Sequence, residues 1–172
     1  MSAPGNMRAV ENTRANWETP PELFAVLDDE FGFDLDAAAS ETNTKCKRWL
    51  EGPHIDPAIC SCGLCTSWAG DVVFCNPPYG AGLERWIDKF IKESREATIV
   101  AVLPANTDTR WFAKVAANTY ELRLLTGRVQ FLLPGGVRNE NGNPGGTMVA
   151  VFATPANHRE ISVWDWRKCI HA

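Results

Sequence analysis

The segment Asn76-Pro77-Pro78-Tyr79, which follows the apolar run Val72–Cys75, has residue types that could do chemistry. Two consecutive prolines fix φ and remove two backbone donors, so the segment can neither continue a strand nor begin an ordinary helical turn. The pattern therefore predicts a rigid loop at the C-terminal end of a strand. Open α/β sheets bind their ligands at that position.

An amide, a proline carbonyl and an aromatic ring together suit the binding of a planar base that carries an exocyclic amino group. Such an amine is a poor nucleophile because its lone pair is delocalised into the ring. Two acceptors, the side-chain oxygen of Asn76 and the carbonyl of Pro77, would bind its two hydrogens and make the nitrogen nucleophilic. Tyr79 would stack on a base flipped out of a duplex. The alternative is a Pro-Pro strand terminator beside a core tyrosine.

Length and composition predict one globular domain. The chain has 172 residues, of which 45% are hydrophobic, enough to bury a core. We predict a flexible N-terminal arm at 1–16 and a single domain at 17–172, with a cysteine-rich insertion at about 45–66. No apolar run approaches the ~18 residues of a membrane span, and the N-terminus lacks an apolar signal region. These features predict a cytoplasmic protein.

The charge is distributed unevenly along the chain, whose net charge is −4. Residues 105–172 hold eight Lys and Arg against five Asp and Glu, a net of +3, so the remainder carries −7. A basic C-terminal part would meet nucleic-acid phosphates, while the acidic part would bind a cationic cofactor. Ordinary scatter of surface charge explains the same numbers equally well.

Alternating strand and helix patterns predict an α/β fold with a mostly parallel sheet and helices on both faces. Predicted strands are 33–39, 72–75, 98–103, 120–125 and 147–153, predicted helices begin near 20, 83 and 110, and 137–146 is predicted as a mobile loop. Thr19 is the predicted N-cap of the first helix, with Pro20 at the first helical position. Glu22 would complete a capping box, and Gly32 would end the helix.

Five blocks in order resemble the phage-type (Dam-like) DNA N6-adenine methyltransferase family. They are Thr-Pro-Pro-x-x-Phe (19–24), Phe-Gly-Phe-Asp-Leu-Asp-Ala-Ala-Ala-Ser (31–40), Asn-Pro-Pro-Tyr-Gly (76–80), Leu-Pro-Ala-Asn-Thr-Asp-Thr-Arg-Trp-Phe (103–112) and Gly-Arg-Val-Gln-Phe (127–131). The resemblance implies a Rossmann-like methyltransferase fold, S-adenosylmethionine as methyl donor and adenine in double-stranded DNA as acceptor. A phage-encoded protein of this family would act in the cytoplasm of its bacterial host.

The resemblance also implies roles for individual residues. The catalytic residues would be Asn76, Pro77, Pro78 and Tyr79; the cofactor-binding residues would be Thr19, Pro20, Phe24, Asp34, Asp36, Ala37, Ala38 and Asn76; and the DNA-binding residues would be Tyr79, Arg110 and Arg128. Asp36 would bind the ammonium or the ribose of the cofactor, with Asp34 as its substitute. Helix capping is the alternative role for Asp36 and Asp108, and Phe24 and Arg128 could be plain core and surface residues.

A cysteine cluster has the spacing of a metal site. Its members are Cys46, Cys60, Cys62 and Cys65, with His54 as an alternative to Cys46. In a cytosolic protein such spacing favours structural Zn²⁺ over disulfides. The alternative is that these cysteines are small buried apolar residues.

The chain departs from the family pattern just before Trp68. The family has Asp-Gly-Leu there, and this chain has Cys62-Gly63-Leu64. Any contact that the aspartate normally makes would be missing or would be taken over by Asp56 or Asp71.

We therefore predict a site-specific DNA adenine-N6 methyltransferase that flips its target base. The same loop would also suit cytosine N4, adenine in RNA or a protein glutamine amide. A non-catalytic, zinc-stabilised DNA-binding module is the alternative from another functional class. The intact loop at 76–79 argues against that module, whereas the loss of Asp-Gly-Leu slightly favours it.

Overall fold

A computed structural model describes residues 17–51, 61–154 and 160–171. It contains a seven-stranded sheet in the order β2-β1-β3-β4-β8-β5-β9 and a separate two-stranded hairpin, β6-β7. The strands are β1 Leu35–Ala39, β2 Arg48–Glu51, β3 Val72–Cys75, β4 Thr98–Pro104, β5 Glu121–Leu125, β6 Leu132–Leu133, β7 Val137–Arg138, β8 Thr147–Phe152 and β9 Glu160–Trp164. The helices are α1 Pro21–Phe31, α2 Leu83–Glu93, α3 Arg110–Asn118 and a 3-10 helix, Trp166–His171. The predicted arm at 1–16 lies outside the described residues.

Strand direction places several loops at one edge of the sheet. Strands β2, β1, β3 and β4 pair in parallel, and β8 pairs antiparallel with both β4 and β5. Strand β5 therefore runs in the same direction as β4, and β9 pairs with it in parallel. The C-terminal ends of β1, β3, β4 and β5 consequently share one edge, and the prediction of a mostly parallel sheet is confirmed.

The two faces of the sheet carry separate core clusters. In β4, Ile99 and Ala101 belong to the cluster that contains the buried residues of α2 and α3. The alternating Val100 and Val102 belong to the cluster that contains the buried residues of α1. Helices therefore cover both faces, as predicted. No helix in the described part of the chain is long and apolar enough to cross a membrane.

The start of α1 differs from the predicted one. The N-cap is Pro20, which is extended (φ −58°, ψ 139°) and makes no side-chain capping bond. Because Pro21 follows it, Pro20 is kept out of the helical region, and the helix begins one residue later than expected. Thr19 therefore precedes the cap, and the predicted capping box of Thr19 with Glu22 is wrong. The predicted end is confirmed, since Gly32 caps the helix with φ 65°.

Both edge strands of the sheet are absent from the sequence-based prediction. Strand β2 lies within the predicted cysteine-rich insertion, and none of its four residues is fully buried. Strand β9 lies at the opposite edge and is likewise without a fully buried residue. Because edge strands bury less surface than central ones, their apolar pattern is weak. The predicted loop at 137–146 also begins with a short strand, β7.

A buried ion pair holds the chain that leads into β3. Lys89 and Glu93 are each 8% exposed, and the Lys89 ammonium donates to Glu93 Oε1 at 2.9 Å and to the Thr66 carbonyl at 2.7 Å. The other Glu93 oxygen accepts from the Trp68 backbone N–H at 2.7 Å. Since both charges have additional hydrogen-bond partners, the pair fastens residues 66–68 to α2.

Candidate functional site

A cleft of about 440 Å³ opens at the C-terminal edge of β1 and β3. Of the residues predicted from sequence to form a site, those that line it are Thr19, Asp36, Ala38, Asn76 and Pro78. Lining residues that sequence analysis missed include Trp17, Glu18, Ser40, Asn43 and Lys45. The structure thus brings together the segment before α1, the end of β1 with its following turn, and the loop after β3.

The Asn76 side chain is oriented by the backbone of a distant segment. Its Nδ2 donates to the Trp17 carbonyl at 2.9 Å. Because a carbonyl oxygen can only accept, the amide nitrogen must face Trp17, and Oδ1 must point away from it. Pro77 is buried next to it. The loop therefore offers the amide oxygen as an acceptor on a fixed backbone.

Two contacts hold the Tyr79 side chain in place. Its hydroxyl donates to the Val102 carbonyl at 3.1 Å, and the Phe131 ring lies perpendicular to it at 6.1 Å. Burial raises the pKa of the Tyr79 hydroxyl far above its usual value, so the group remains a protonated donor. Trp17 stacks on Phe131 at 5.8 Å. Tyr79, Phe131 and Trp17 line a small recess beside the cleft, together with Pro104.

Asp36 supplies a buried carboxyl group to the cleft. It is 3% exposed, and its oxygens accept from the backbone N–H of Lys45 at 3.0 Å and of Ala38 at 3.4 Å. Burial raises its pKa to about 6, and the two hydrogen bonds oppose that rise. The residue lies inside strand β1, so the alternative role as a helix N-cap is wrong.

Thr19 offers a polar atom that is unsatisfied. The residue is buried, and its hydroxyl has no hydrogen-bond partner within residues 17–51, 61–154 and 160–171. Native structures seldom leave a buried hydroxyl unpaired, because desolvation without a hydrogen bond costs free energy. A bound molecule could supply the missing partner. Ala38 adds a small side chain to the same cleft.

The structure does not bring Ala37 and Asp34 to the cleft. Ala37 faces the core beneath α2, and its carbonyl is covered so closely that a Cβ on Gly63 would meet it at 2.0 Å. Gly63 is therefore required by close approach of the two backbones. Asp34 precedes β1 and accepts from the Val72 backbone N–H at 3.1 Å, at the edge where β3 begins.

Phe24 and Pro20 also lie away from the cleft. Phe24 packs edge-on against Phe74 at 5.1 Å, and it is Phe74 that lines the cleft. Phe24 therefore supports the cleft from the core side. Pro20 caps α1 and borders a different cavity, which also includes Gln130 and Trp166.

The predicted DNA-contacting arginines are exposed at the same edge of the sheet as the loop after β3. Arg110 is the first residue of α3, just after the end of β4. Arg128 follows the end of β5, and its carbonyl accepts from the Arg167 guanidinium at 2.6 Å. Asp108 is exposed and does not cap α3, whose cap is the Thr109 hydroxyl.

The predicted zinc site gains no support from the described residues. Cys62 and Cys65 have sulfurs 3.5 Å apart, but no group of three His, Cys, Asp or Glu side chains in the described ranges could hold a metal ion. Cys46 packs instead against the core cluster under α1. Cys60 and the alternative ligand His54 lie outside the described residues.

Asp71, one of the two predicted replacements for the family's aspartate, does not line the cleft. Asp71 forms a two-pronged ion pair with Arg48, at 2.7 and 3.1 Å, near the start of β3. Asp56 lies outside the described residues.

Comparison with known proteins identifies relatives along most of the chain. The profile of the DNA N-6-adenine-methyltransferase (Dam) family matches residues 7–170. The chain is 34% identical over 113 residues to the DNA N-6-adenine-methyltransferase of Escherichia phage T1, covering 62% of this chain and 42% of that relative. It is 30% identical over 131 residues to the enzyme of the same name from Haemophilus phage HP1 (strain HP1c1), covering 73% of this chain and 68% of that relative.

The raised pKa of Asp36 predicts a pH-dependent stability difference. The folded chain binds this proton more tightly than the unfolded chain, whose carboxyl has an ordinary pKa of 3.8. Relative to the Asp36→Asn variant, the free energy of unfolding of the wild type should therefore fall by roughly 2 kcal/mol as pH rises from about 4 to about 6, and level off above about pH 7. Urea denaturation of both proteins between pH 4 and 8 measures this. A difference that does not change with pH would contradict it.

Proposed function

The chain belongs to the DNA N-6-adenine-methyltransferase (Dam) family, and we propose that it methylates N6 of adenine at specific sites in double-stranded DNA. The observation that carries this proposal is the hydrogen bond from Asn76 Nδ2 to the Trp17 carbonyl. It leaves the amide oxygen as an acceptor on a proline-fixed loop at the ligand-binding edge of the sheet. An exocyclic amine needs an acceptor of this kind to become nucleophilic.

S-adenosylmethionine is the proposed methyl donor, within a Rossmann-like methyltransferase fold. The residues of the cleft fit it: the Asp36 carboxyl could pair with a cationic group, the unpartnered Thr19 hydroxyl could bind a polar one, and Ala38 leaves space. When bound, this cofactor supplies an electrophilic methyl group on a sulfonium. The chain's own residues bind and orient it.

At the acceptor side, Asn76 Oδ1 and the Pro77 carbonyl would accept the two hydrogens of the adenine amine. The hydrogen bond of Asn76 to Trp17 and the proline-fixed backbone would hold both acceptors in place before the substrate arrives, which would lower the cost of reorganisation during the reaction. Tyr79 would stack on the flipped base, and its bond to Val102 keeps the ring in place.

DNA would lie across the edge where Arg110 and Arg128 are exposed. Strands β3, β4 and β5 all end at this edge, so both arginines share it with the proposed catalytic loop. Exposed guanidinium groups suit phosphate contacts, which position a duplex without reading its sequence. Because the named relatives are phage proteins, we further propose that the protein acts on DNA in the cytoplasm of a bacterial host.

Removal of the Asn76 side chain should slow methyl transfer but leave cofactor binding nearly unchanged. In Asn76→Ala, loss of one preorganised polar group should lower the rate of methyl transfer by about 100-fold or more. Cofactor affinity measured by calorimetry should change by less than about threefold. Asn118→Ala is the matched control, since that side chain bonds to Lys114 at the end of α3. A wild-type rate of methyl transfer in Asn76→Ala would contradict the proposed role of Asn76.

Removal of the edge arginines should weaken DNA binding through electrostatics. Each of Arg110→Ala and Arg128→Ala should reduce the slope of log affinity against log salt by about 1, because one phosphate contact is lost. Arg95→Ala is the control. That arginine is also exposed, but it precedes Glu96, whose carbonyl bonds to Gly70 near the opposite edge. Equal slopes for all three variants would contradict the proposed surface.

A further inference from the structure

We propose that Trp17 and Glu18, here called the strap, position the Asn76 amide for the reaction. This inference rests on the proposed function, and it assigns a role to two residues that have no chemistry of their own in the transfer. The strap ties Asn76 to the β6-β7 hairpin on the other side of the cleft. Glu18 does not contact Asn76 itself but fixes the neighbouring Trp17 carbonyl, which does. It is therefore a positioning residue and not a catalytic one.

The backbone of the strap pairs with the hairpin. The Glu18 N–H donates to the Leu132 carbonyl at 2.8 Å, and the Leu132 N–H donates to the Glu18 carbonyl at 2.9 Å. This is an antiparallel bridge between the segment before α1 and strand β6. The carbonyl of Trp17, one residue earlier, therefore has a fixed position relative to the hairpin.

The Glu18 side chain adds a second attachment. It is 7% exposed, and its Oε1 accepts from the Gly135 backbone N–H at 2.9 Å. Gly135 lies in the turn between β6 and β7 and has φ 81°, a conformation that favours glycine. A buried carboxylate that accepts from a turn amide is a strong, charge-assisted contact. It holds the strap against the tip of the hairpin.

The Trp17 side chain supplies the third attachment. Its ring stacks on Phe131 with an interplanar angle of 24°. Trp17 also lines both the cleft and the small recess beside it. The strap thus borders the proposed cofactor site, and the Trp17 carbonyl holds Asn76 Nδ2.

Orientation of the Asn76 amide decides whether the loop can work. A primary amide has a donor end and an acceptor end, and a half-turn of its terminal bond exchanges them. With the donor end towards the substrate amine, two N–H groups would oppose each other. The Trp17 carbonyl excludes that orientation because it can only accept. Misplacement of a reacting group by about 1 Å can cost about 100-fold in rate.

The first test compares Glu18→Ala with Glu18→Gln. The alanine variant should lose about 10-fold to 100-fold in kcat, with the KM for DNA and the cofactor affinity within threefold of wild type. The glutamine variant should recover most of that loss, because its amide oxygen can accept from Gly135. A wild-type kcat in Glu18→Ala would overturn the proposal. Equal loss of cofactor affinity in both variants would also overturn it, since Glu18 would then act on the cofactor by its charge.

The second test needs no enzymatic activity. The Asn76 side-chain N–H₂ signals can be identified by NMR through their loss in Asn76→Ala. Their exchange with solvent should be slow in the wild type and in Glu18→Gln, and at least tenfold faster in Glu18→Ala. Unchanged exchange in Glu18→Ala would overturn the positioning role. If the exchange pattern holds while the wild type methylates no DNA, the proposed function fails and the positioning role stands.

A second pair of variants serves if Glu18→Ala does not fold. Trp17→Ala removes the stack on Phe131, while Trp17→Phe keeps an aromatic ring there. The alanine variant should lose at least tenfold in kcat and in Asn76 exchange protection, and the phenylalanine variant should recover most of both. Equal kcat and equal Asn76 exchange protection in Trp17→Ala and Trp17→Phe would contradict the role of the strap.

Discussion

The hydrogen bond between Asn76 Nδ2 and the Trp17 carbonyl joins parts of the chain that are 59 residues apart, and the proposed chemistry depends on it. One partner sits on a loop that two prolines stiffen, and the other sits on a segment that pairs with a hairpin. Each side is therefore held before any substrate is present. The bond converts an amide with two possible orientations into a directed acceptor, which is what activation of an amine requires.

The proposed site has a buried carboxyl group inside the cleft and exposed arginines outside it. Inside, the cleft holds the carboxyl group of Asp36, whose pKa burial raises to about 6, so it is largely ionised at neutral pH. Outside the cleft, Arg110 and Arg128 are exposed at the same edge of the sheet. A small cationic cofactor and an anionic polymer would thus meet complementary charges in different places. The chain as a whole is acidic, so DNA contact is proposed for this edge alone.

Features that depend on local patterns could be predicted from the amino-acid sequence. The Pro-Pro loop and the central strands are readable because two prolines, or a run of apolar residues, act within a few positions. The edge strands β2 and β9 were not predicted because they bury little apolar surface. The cap of α1 was misplaced because the steric effect of Pro21 outweighs the capping preference of Thr19.

The strap could not be read from sequence. The partners of Trp17 and Glu18 lie 59 and 117 residues away, at Asn76 and Gly135. No spacing rule connects positions so far apart, and a tryptophan followed by a glutamate has no signature of its own. What decides their role is the tertiary packing of the hairpin against the cleft.

The most direct test of the proposed function is methyl transfer from labelled S-adenosylmethionine to unmodified duplex DNA, followed by digestion to nucleosides and mass spectrometry. We expect label in N6-methyladenine. Label only at cytosine N4, or no label in DNA while the cofactor still binds, would contradict the proposed function.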